Sequence, residues 1–130
     1  MPRTKPLKRP GPRKFSRPRA PGMLELRRRL GAEGEKIACR YLSDKGYEFV
    51  ASNWTAALGE LDLIFTFKDE LVFVEVKTRR ASPGAARRVF DTITERKKLK
   101  LRKLSEIFVL QNRNFGTLKQ RIDVVGVLLD

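Results

Sequence analysis

The chain has no histidine, a single cysteine and no long apolar run, and each absence excludes a class of function. Without histidine it can build neither a Ser-His-Asp or Cys-His nucleophile nor a histidine-containing zinc site. The lone Cys39 cannot form an internal disulfide, which favours a reducing, cytoplasmic setting. No apolar stretch approaches the roughly 20 residues of a membrane-spanning helix, so we expect a soluble protein with no membrane partner.

Acidic residues are scarce relative to basic ones, 15 against 29, and the formal net charge is +14. Such a charge is expected for a protein with a polyanionic partner, and nucleic acid is the first candidate. With histidine and thiol chemistry excluded, carboxylate, lysine and arginine side chains remain for catalysis. Clustered carboxylates favour a hard cation, Mg²⁺ or Mn²⁺, over zinc.

Composition divides the chain into a basic arm and one domain. Residues 1–22 hold six of the seven prolines and eight basic residues with no acid, which predicts a disordered arm. An organelle transit peptide is the alternative interpretation of this segment. Subtracting the arm's +8 from +14 leaves +6 on residues 23–130, so the predicted domain is itself basic.

Hydrophobic periodicity predicts two helices, at residues 23–45 and 92–112, with Gly31 and Gly34 as candidate break points in the first. Alternating or continuous apolar runs predict four strands, of which the second and third form a hairpin. These strands span residues 47–54, 59–67, 71–79 and 121–129, and residues 80–88 are predicted as a loop. The order α-β-β-β-α-β predicts an α/β fold with helices flanking a mixed sheet.

Charged side chains interrupt the buried pattern of the predicted hairpin, GELDLIFTFKDELVFVEVKTR. Alternation predicts one face for Asp62 and the opposite face for Leu61, Leu63 and Phe65. It likewise places Glu75 and Lys77 together on one face of the next strand. The acids therefore share a surface with a lysine inside an otherwise buried pattern.

The turn length decides which of these groups oppose each other. A turn on residues 68–69 sets Asp62 opposite Glu75, whereas a turn on residues 69–70 sets it opposite Lys77. Both registers bring the three side chains together. Two adjacent carboxylates repel each other unless a cation lies between them, so the pattern predicts an Mg²⁺ site with Lys77 beside the attacking water. The alternative is a solvent-exposed face held by Glu–Lys and Asp–Lys salt bridges.

Four blocks of sequence, GAEGEKIACRYL, GELDLI, LVFVEVKTR and RIDVV, together resemble the YraN-like family of small bacterial proteins. That family is similar to archaeal Holliday junction resolvases and to the PD-(D/E)XK nucleases, so the resemblance implies a restriction-endonuclease-like core. It implies a catalytic set of Asp62, Glu75 and Lys77, with the main-chain carbonyl of Val76 as a further metal ligand and Glu35 approaching from the first helix. The PD dipeptide is absent, since Leu61 precedes Asp62.

The same resemblance implies an Mg²⁺- or Mn²⁺-dependent endonuclease that acts on DNA, with branched or structured DNA as substrate and a homodimer as the active form. The alternative is a non-catalytic nucleic-acid-binding module of the same fold, because fold does not determine activity. The basic arm alone would also suit an RNA- or ribosome-associated protein.

Basic side chains near the hairpin are candidates for contacts with the nucleic-acid backbone; they are Arg79, Arg80, Arg87, Arg88 and Lys97. The alternative for the arginines is a solvated surface, and for Lys97 a stem that covers the edge of the core. Glu35 has the alternative of an exposed helical acid paired with an arginine.

Other notable residues are predicted to be structural. Asp123 is expected to bond the main chain or Arg121, Trp54 and Tyr47 to pack at the core or its edge, and Cys39 to be a small core residue. Glu60 is predicted either to support the site from beside Asp62 or to be a surface acid.

Overall fold

The computed structural model describes residues 3–6, 11 and 20–130. Most of the predicted disordered arm therefore lies outside the described residues. The elements in chain order are α1 (Met23–Asp44), β1 (Glu48–Ala56), β2 (Gly59–Phe67), β3 (Glu70–Arg80), α2 (Ala85–Asp91), α3 (Glu95–Gln111) and β4 (Lys119–Leu129). A 3₁₀ turn, Arg113–Phe115, precedes β4. No helix in this described part is long and apolar enough to cross a membrane.

The four strands form one mixed sheet in the order β1-β2-β3-β4. Each of the first two pairings is antiparallel, while β3 and β4 run parallel and are connected through α2 and α3. The predicted α-β-β-β-α-β order and the mixed sheet with flanking helices are confirmed. This arrangement is that of a restriction-endonuclease-like core.

Two hydrophobic clusters cover the opposite faces of the sheet. On the α1 side, Ala38 and Leu42 pack against Leu63, Phe65, Val72, Val74 and Val127. On the α3 side, Leu101, Leu104 and Phe108 pack against Leu61, Ile64, Leu71 and Phe73. Successive residues of β3 alternate between the two clusters, as the pleat of a strand requires. The central strands are therefore buried on both faces.

The first helix is continuous through Gly31 and Gly34, so neither glycine breaks it. It ends at Asp44, and Gly46 follows with a φ of 94°, a conformation that glycine adopts without strain. The predicted second helix begins at Glu95, with the Thr94 side chain capping it by accepting a hydrogen bond from the main-chain N–H of Lys97. Both predicted helices are thus present, within three residues of their expected ends.

The prediction of a loop over residues 80–88 is wrong in its second half, because α2 begins at Ala85. Gly84, with a φ of 78°, turns the chain. Ala85 and Val89, one helical turn apart, are both buried. Two buried positions are too few to produce a periodic signal. As a result Arg87 and Arg88 lie on a short helix and not in a loop.

The hairpin between β2 and β3 adopts the first of the two predicted registers. Phe67 pairs with Glu70, so the turn consists of residues 68–69, and the ladder runs back to the pair of Leu63 and Val74. The register with the turn on residues 69–70 is wrong. One expected face is also wrong: Leu61 packs in the α3-side cluster, away from Leu63, because β2 has left the ladder with β3 by this point.

Candidate active site

The site begins where β2 and β3 stop pairing. The last paired residues are Leu63 and Val74, one position short of Asp62 and Glu75. Beyond them the main-chain N–H of Val76 donates to Oδ2 of Asp62 at 2.9 Å. A side chain thus takes a hydrogen bond that a main-chain carbonyl would accept in a regular ladder, and the Asp62 carboxylate is held beside Glu75.

Glu75 lies between two lysines that come from different elements. Its Oε1 is 3.5 Å from Nζ of Lys77 on β3 and 3.2 Å from Nζ of Lys97 on α3. Only 5% of Glu75 is exposed. The alternative of a solvent-exposed salt-bridged face therefore describes the pairing of Glu75 but not its environment, because this carboxylate is buried.

Burial raises the pKa of Asp62 to about 7 from an ordinary value of 3.8, and the negative charge of Glu75 contributes to this shift. The N–H of Val76 stabilises the charged form but does not offset these effects. A hydrogen bond with Glu75 also favours the protonated carboxyl. The two carboxyl groups are therefore within hydrogen-bonding reach of each other, and Asp62 keeps its proton to a much higher pH than an ordinary aspartate.

Glu35 approaches this pair from α1 because of the glycine that precedes it. A Cβ on Gly34 would overlap the side chain of Thr78 on β3, so only glycine permits this distance between helix and strand. Burial raises the pKa of Glu35, and the charges of Glu60 and Glu75 add to the increase. The structure thus brings Glu35 into the electrostatic field of the carboxylate pair.

Asn53 on β1 is a site residue that sequence reasoning missed. With its amide nitrogen oriented toward the acids, as the hydrogen-bonding pattern requires, it donates to Oε1 of Glu60 at 2.8 Å and to Oε2 of Glu35 at 3.2 Å. This bond opposes the rise in the pKa of Glu35. Asn53 has a φ of 50°, which asparagine tolerates better than most residues. An asparagine inside a strand pattern was the only signal available in the sequence.

A cleft of about 670 Å³ opens between α1 and the adjoining ends of β2 and β3. Its acidic lining residues are Glu35, Asp62 and Glu75, and its basic ones are Arg27, Lys77, Arg79 and Arg80. The three arginines are exposed, whereas the acids are half-buried or buried. The cleft is therefore acidic inside and basic toward solvent, an arrangement that can bind a phosphate backbone over a cation site.

The remaining basic candidates lie in different environments. Arg79 donates to its neighbour's main-chain oxygen, at 2.8 Å, and Arg88 donates to Oγ of Ser82 at 3.0 Å. A smaller depression of about 440 Å³ connects Arg88 with Arg79 and Arg80, but Arg87 lines neither cavity. Lys97 contacts Glu75 and does not line the cleft.

The residues predicted to be structural have packing or pairing partners. Asp123 accepts from Nε of Arg121 at 3.1 Å, and Nη2 of Arg121 donates to the Tyr47 hydroxyl at 2.9 Å. Trp54 packs edge-on against Phe108, with ring centroids 5.4 Å apart. Cys39 packs against the α1-side cluster, partly buried.

Within residues 3–6, 11 and 20–130, no three cysteine, aspartate or glutamate side chains form a ready metal cage. What the cleft offers is the pair of Asp62 and Glu75, with Val76 lining it beside them. Two carboxyl groups so close that one raises the pKa of the other suit Mg²⁺ or Mn²⁺, and Mg²⁺ is commonly bound through only one or two carboxylates. The donor set therefore fits the predicted ion.

Comparison with known proteins shows a match to a family of uncharacterised proteins, UPF0102, over residues 34–127. A UPF0102 protein from Roseiflexus castenholzii is 40% identical over 106 residues, which cover 81% of this chain and 83% of the relative. Another, from Alkaliphilus oremlandii, is 37% identical over 105 residues, covering 80% of this chain and 88% of the relative. A third, from Coxiella burnetii, is 34% identical over 108 residues, with coverages of 83% and 88%. The matched region contains every predicted site residue.

Proposed function

The chain belongs to the YraN-like family UPF0102, and from the chemistry of its cleft we propose that it is a metal-dependent endonuclease that hydrolyses phosphodiester bonds in DNA. One observation carries the proposal. Asp62 and Glu75 are held together in the buried part of a cleft, and Lys77 lies 3.5 Å from the latter. A buried carboxyl group whose pKa is raised by burial and by a second carboxylate is costly for folding, so this arrangement favours a catalytic use.

Each group has a role that its position supports. Asp62, Glu75 and the main-chain carbonyl of Val76 would hold the divalent cation. When bound, the cation would neutralise charge on the phosphate and lower the pKa of a water molecule. The ammonium group of Lys77 orients the attacking water and offsets negative charge that develops on the phosphate oxygens. Glu35, whose pKa is raised by burial, would accept a proton from this water.

The outer part of the cleft supplies the contacts with the substrate backbone. Arg79 and Arg80 are exposed at the end of β3, two and three residues after Lys77, and Arg88 adjoins them across the smaller depression. Phosphate contacts of this kind position a nucleic acid without reading its sequence. Branched or structured DNA, cut by a homodimer, is the substrate that the resemblance to resolvases supports.

A non-catalytic nucleic-acid-binding module is the second candidate, and the pairing of Glu75 favours it. Two lysines already neutralise this carboxylate in the absence of a cation. In a protein that had lost catalysis, these ion pairs would simply stabilise the end of the sheet. The two candidates differ in one measurable property, because only the nuclease requires a divalent cation to act on DNA.

A cleavage assay tests the proposal. Purified protein is incubated with end-labelled single-stranded, duplex, flap and four-way DNA, with Mg²⁺, Mn²⁺ or EDTA. The nuclease predicts products with either cation and none with EDTA. Binding of all substrates without cleavage in any cation would support the non-catalytic module.

A further inference from the structure

Lys97 contacts the carboxylate that the proposed function assigns to the metal. We propose that Lys97 is the internal counter-ion of Glu75. In the metal-free protein its ammonium group neutralises this carboxylate in place of a cation, and it is displaced when a divalent cation binds. This inference rests on the proposed function, since it takes Glu75 to be a metal ligand. It assigns Lys97 a positioning role that changes with the state of the site.

The burial of Glu75 explains why a counter-ion is needed. Only 6% of its side chain is exposed, and a buried carboxylate without a compensating charge strongly destabilises a protein. Both lysines contact the same oxygen, Oε1, and Lys97 is the nearer at 3.2 Å against 3.5 Å for Lys77. The metal-free site is therefore already neutralised from within the chain.

A divalent cation would compete with the lysines for Glu75. Both ammonium groups lie within 4 Å of the same carboxylate oxygen, so both would repel a cation bound to that carboxylate. Movement of one lysine relieves this repulsion.

Lys97 is better placed to move than Lys77. Both lysines have a flexible four-carbon stem on a fixed main chain, but the side chain of Lys97 is 30% exposed against 22% for Lys77. Lys77 also lines the cleft, whereas Lys97 does not. We therefore expect Lys77 to stay beside the reacting phosphate while the Lys97 ammonium swings outward.

This displacement reconciles two interpretations of Lys97. In the metal-free protein it pairs with Glu75 and does not line the cleft. Once displaced, its ammonium group is free to contact the phosphate backbone, as the sequence predicts. Metal binding would then strengthen the contact with the nucleic acid through a residue that is not itself a metal ligand.

Calorimetric titration of Mn²⁺ into the full-length protein, without DNA, tests the inference on three proteins: wild type, Lys97→Met and Lys98→Met. Lys98 is the matched control, because it is the next residue of the same helix and pairs at the surface with Glu95, at 2.9 Å. Both substitutions remove one positive charge. Removing the competing ammonium group in Lys97→Met should tighten Mn²⁺ binding by about 5- to 150-fold, the usual range for coupled sites. The Mn²⁺ affinity of Lys98→Met should stay within about twofold of wild type, as expected for a screened surface charge.

The outcomes separate the inference from the function on which it rests. Equal Mn²⁺ affinity in wild type and Lys97→Met, or equal gains in both variants, would overturn the counter-ion role and leave the metal site standing. Absence of Mn²⁺ binding in all three proteins would overturn both the inference and the metal-dependent function.

A second measurement uses the wild-type protein, in case Lys97→Met does not fold. Lysine acylation followed by mass spectrometry reports the accessibility of each amine. Adding Mn²⁺ should raise the acylation rate of Lys97 several-fold relative to that of Lys98. An unchanged or lower rate at Lys97, measured at a Mn²⁺ concentration that saturates the calorimetric signal, would contradict the displacement.

Discussion

Replacing Asp62 with asparagine should make the metal-free protein more stable at alkaline pH. The raised pKa means that the folded protein holds the Asp62 proton more tightly than the unfolded chain does between pH 3.8 and about 7. The corresponding stability is complete below about pH 4 and is lost as the pH rises through 7. The amide side chain of the variant stays neutral, can still accept from the N–H of Val76 and can donate to Glu75, so the variant avoids this loss.

The size of the effect follows from the shift in pKa. A rise in pKa from 3.8 to about 7 sets an upper limit of about 4 kcal/mol. Asp62 is partly exposed, so solvent screening reduces this to about 2 kcal/mol. For a domain of this size, that difference corresponds to a midpoint of thermal unfolding raised by roughly 8 °C at pH 8.

Thermal unfolding in EDTA at pH 5, 6, 7 and 8 provides the test, with Asp69→Asn as the control. Asp69 is exposed in the hairpin turn, so its replacement should change stability equally little at every pH. The advantage of Asp62→Asn should grow from pH 5 to pH 8. A variant that is less stable than wild type at pH 8, or a difference that does not vary with pH, would refute the electrostatic description of the site.

Three further predictions concern the helix contact, the arm and the catalytic lysine. Gly34→Ala should lower the free energy of unfolding by about 1 to 3 kcal/mol, because the added methyl group would overlap Thr78. Gly31→Ala should not lower it, because no described atom lies within 4 Å of the added group. Chemical denaturation measures both variants, and equal effects would refute the close contact. Deleting residues 1–22 should preserve folding and reduce the salt dependence of DNA binding, by about 0.9 in log-log slope per lost phosphate contact. An unchanged slope in a filter-binding assay would contradict this. Lys77→Ala should abolish cleavage of end-labelled DNA and weaken DNA binding on the filter, and retained cleavage would exclude its catalytic role.

Periodicity in the sequence was sufficient to predict most of the fold. The bounds predicted for β2, residues 59–67, are those of the structure, while α1 differs from prediction by one residue at its C-terminal end and β3 by one residue at each end. These elements are long, and their apolar residues face defined surfaces. The short helix α2 was missed because its stability depends on burying Ala85 and Val89 against elements that are distant in sequence.

Local spacing also predicted which charged groups of the hairpin would meet, since a turn on residues 68–69 sets Asp62 opposite Glu75 and Lys77 lies two residues further along the same strand. It could not predict the contact between Glu75 and Lys97, which depends on how α3 packs against the sheet. Asn53 was missed for a similar reason: a β-bulge between Phe49 and Ala51 alters the register of β1 with β2 before it. The parts of the site that local sequence could not predict are those made by tertiary packing.

The most direct test of the proposed nuclease is single-turnover cleavage of a four-way DNA junction in Mn²⁺. Wild type and Glu75→Gln are compared, and the DNA affinity of each protein is measured in EDTA. Glutamine keeps the shape of the side chain and removes one ligand charge, so the cleavage rate should fall by about 100-fold or more while affinity holds or rises slightly. Undiminished cleavage by Glu75→Gln would contradict its role as a metal ligand. Absence of cleavage by wild-type protein that is folded and bound to the junction would contradict the nuclease itself.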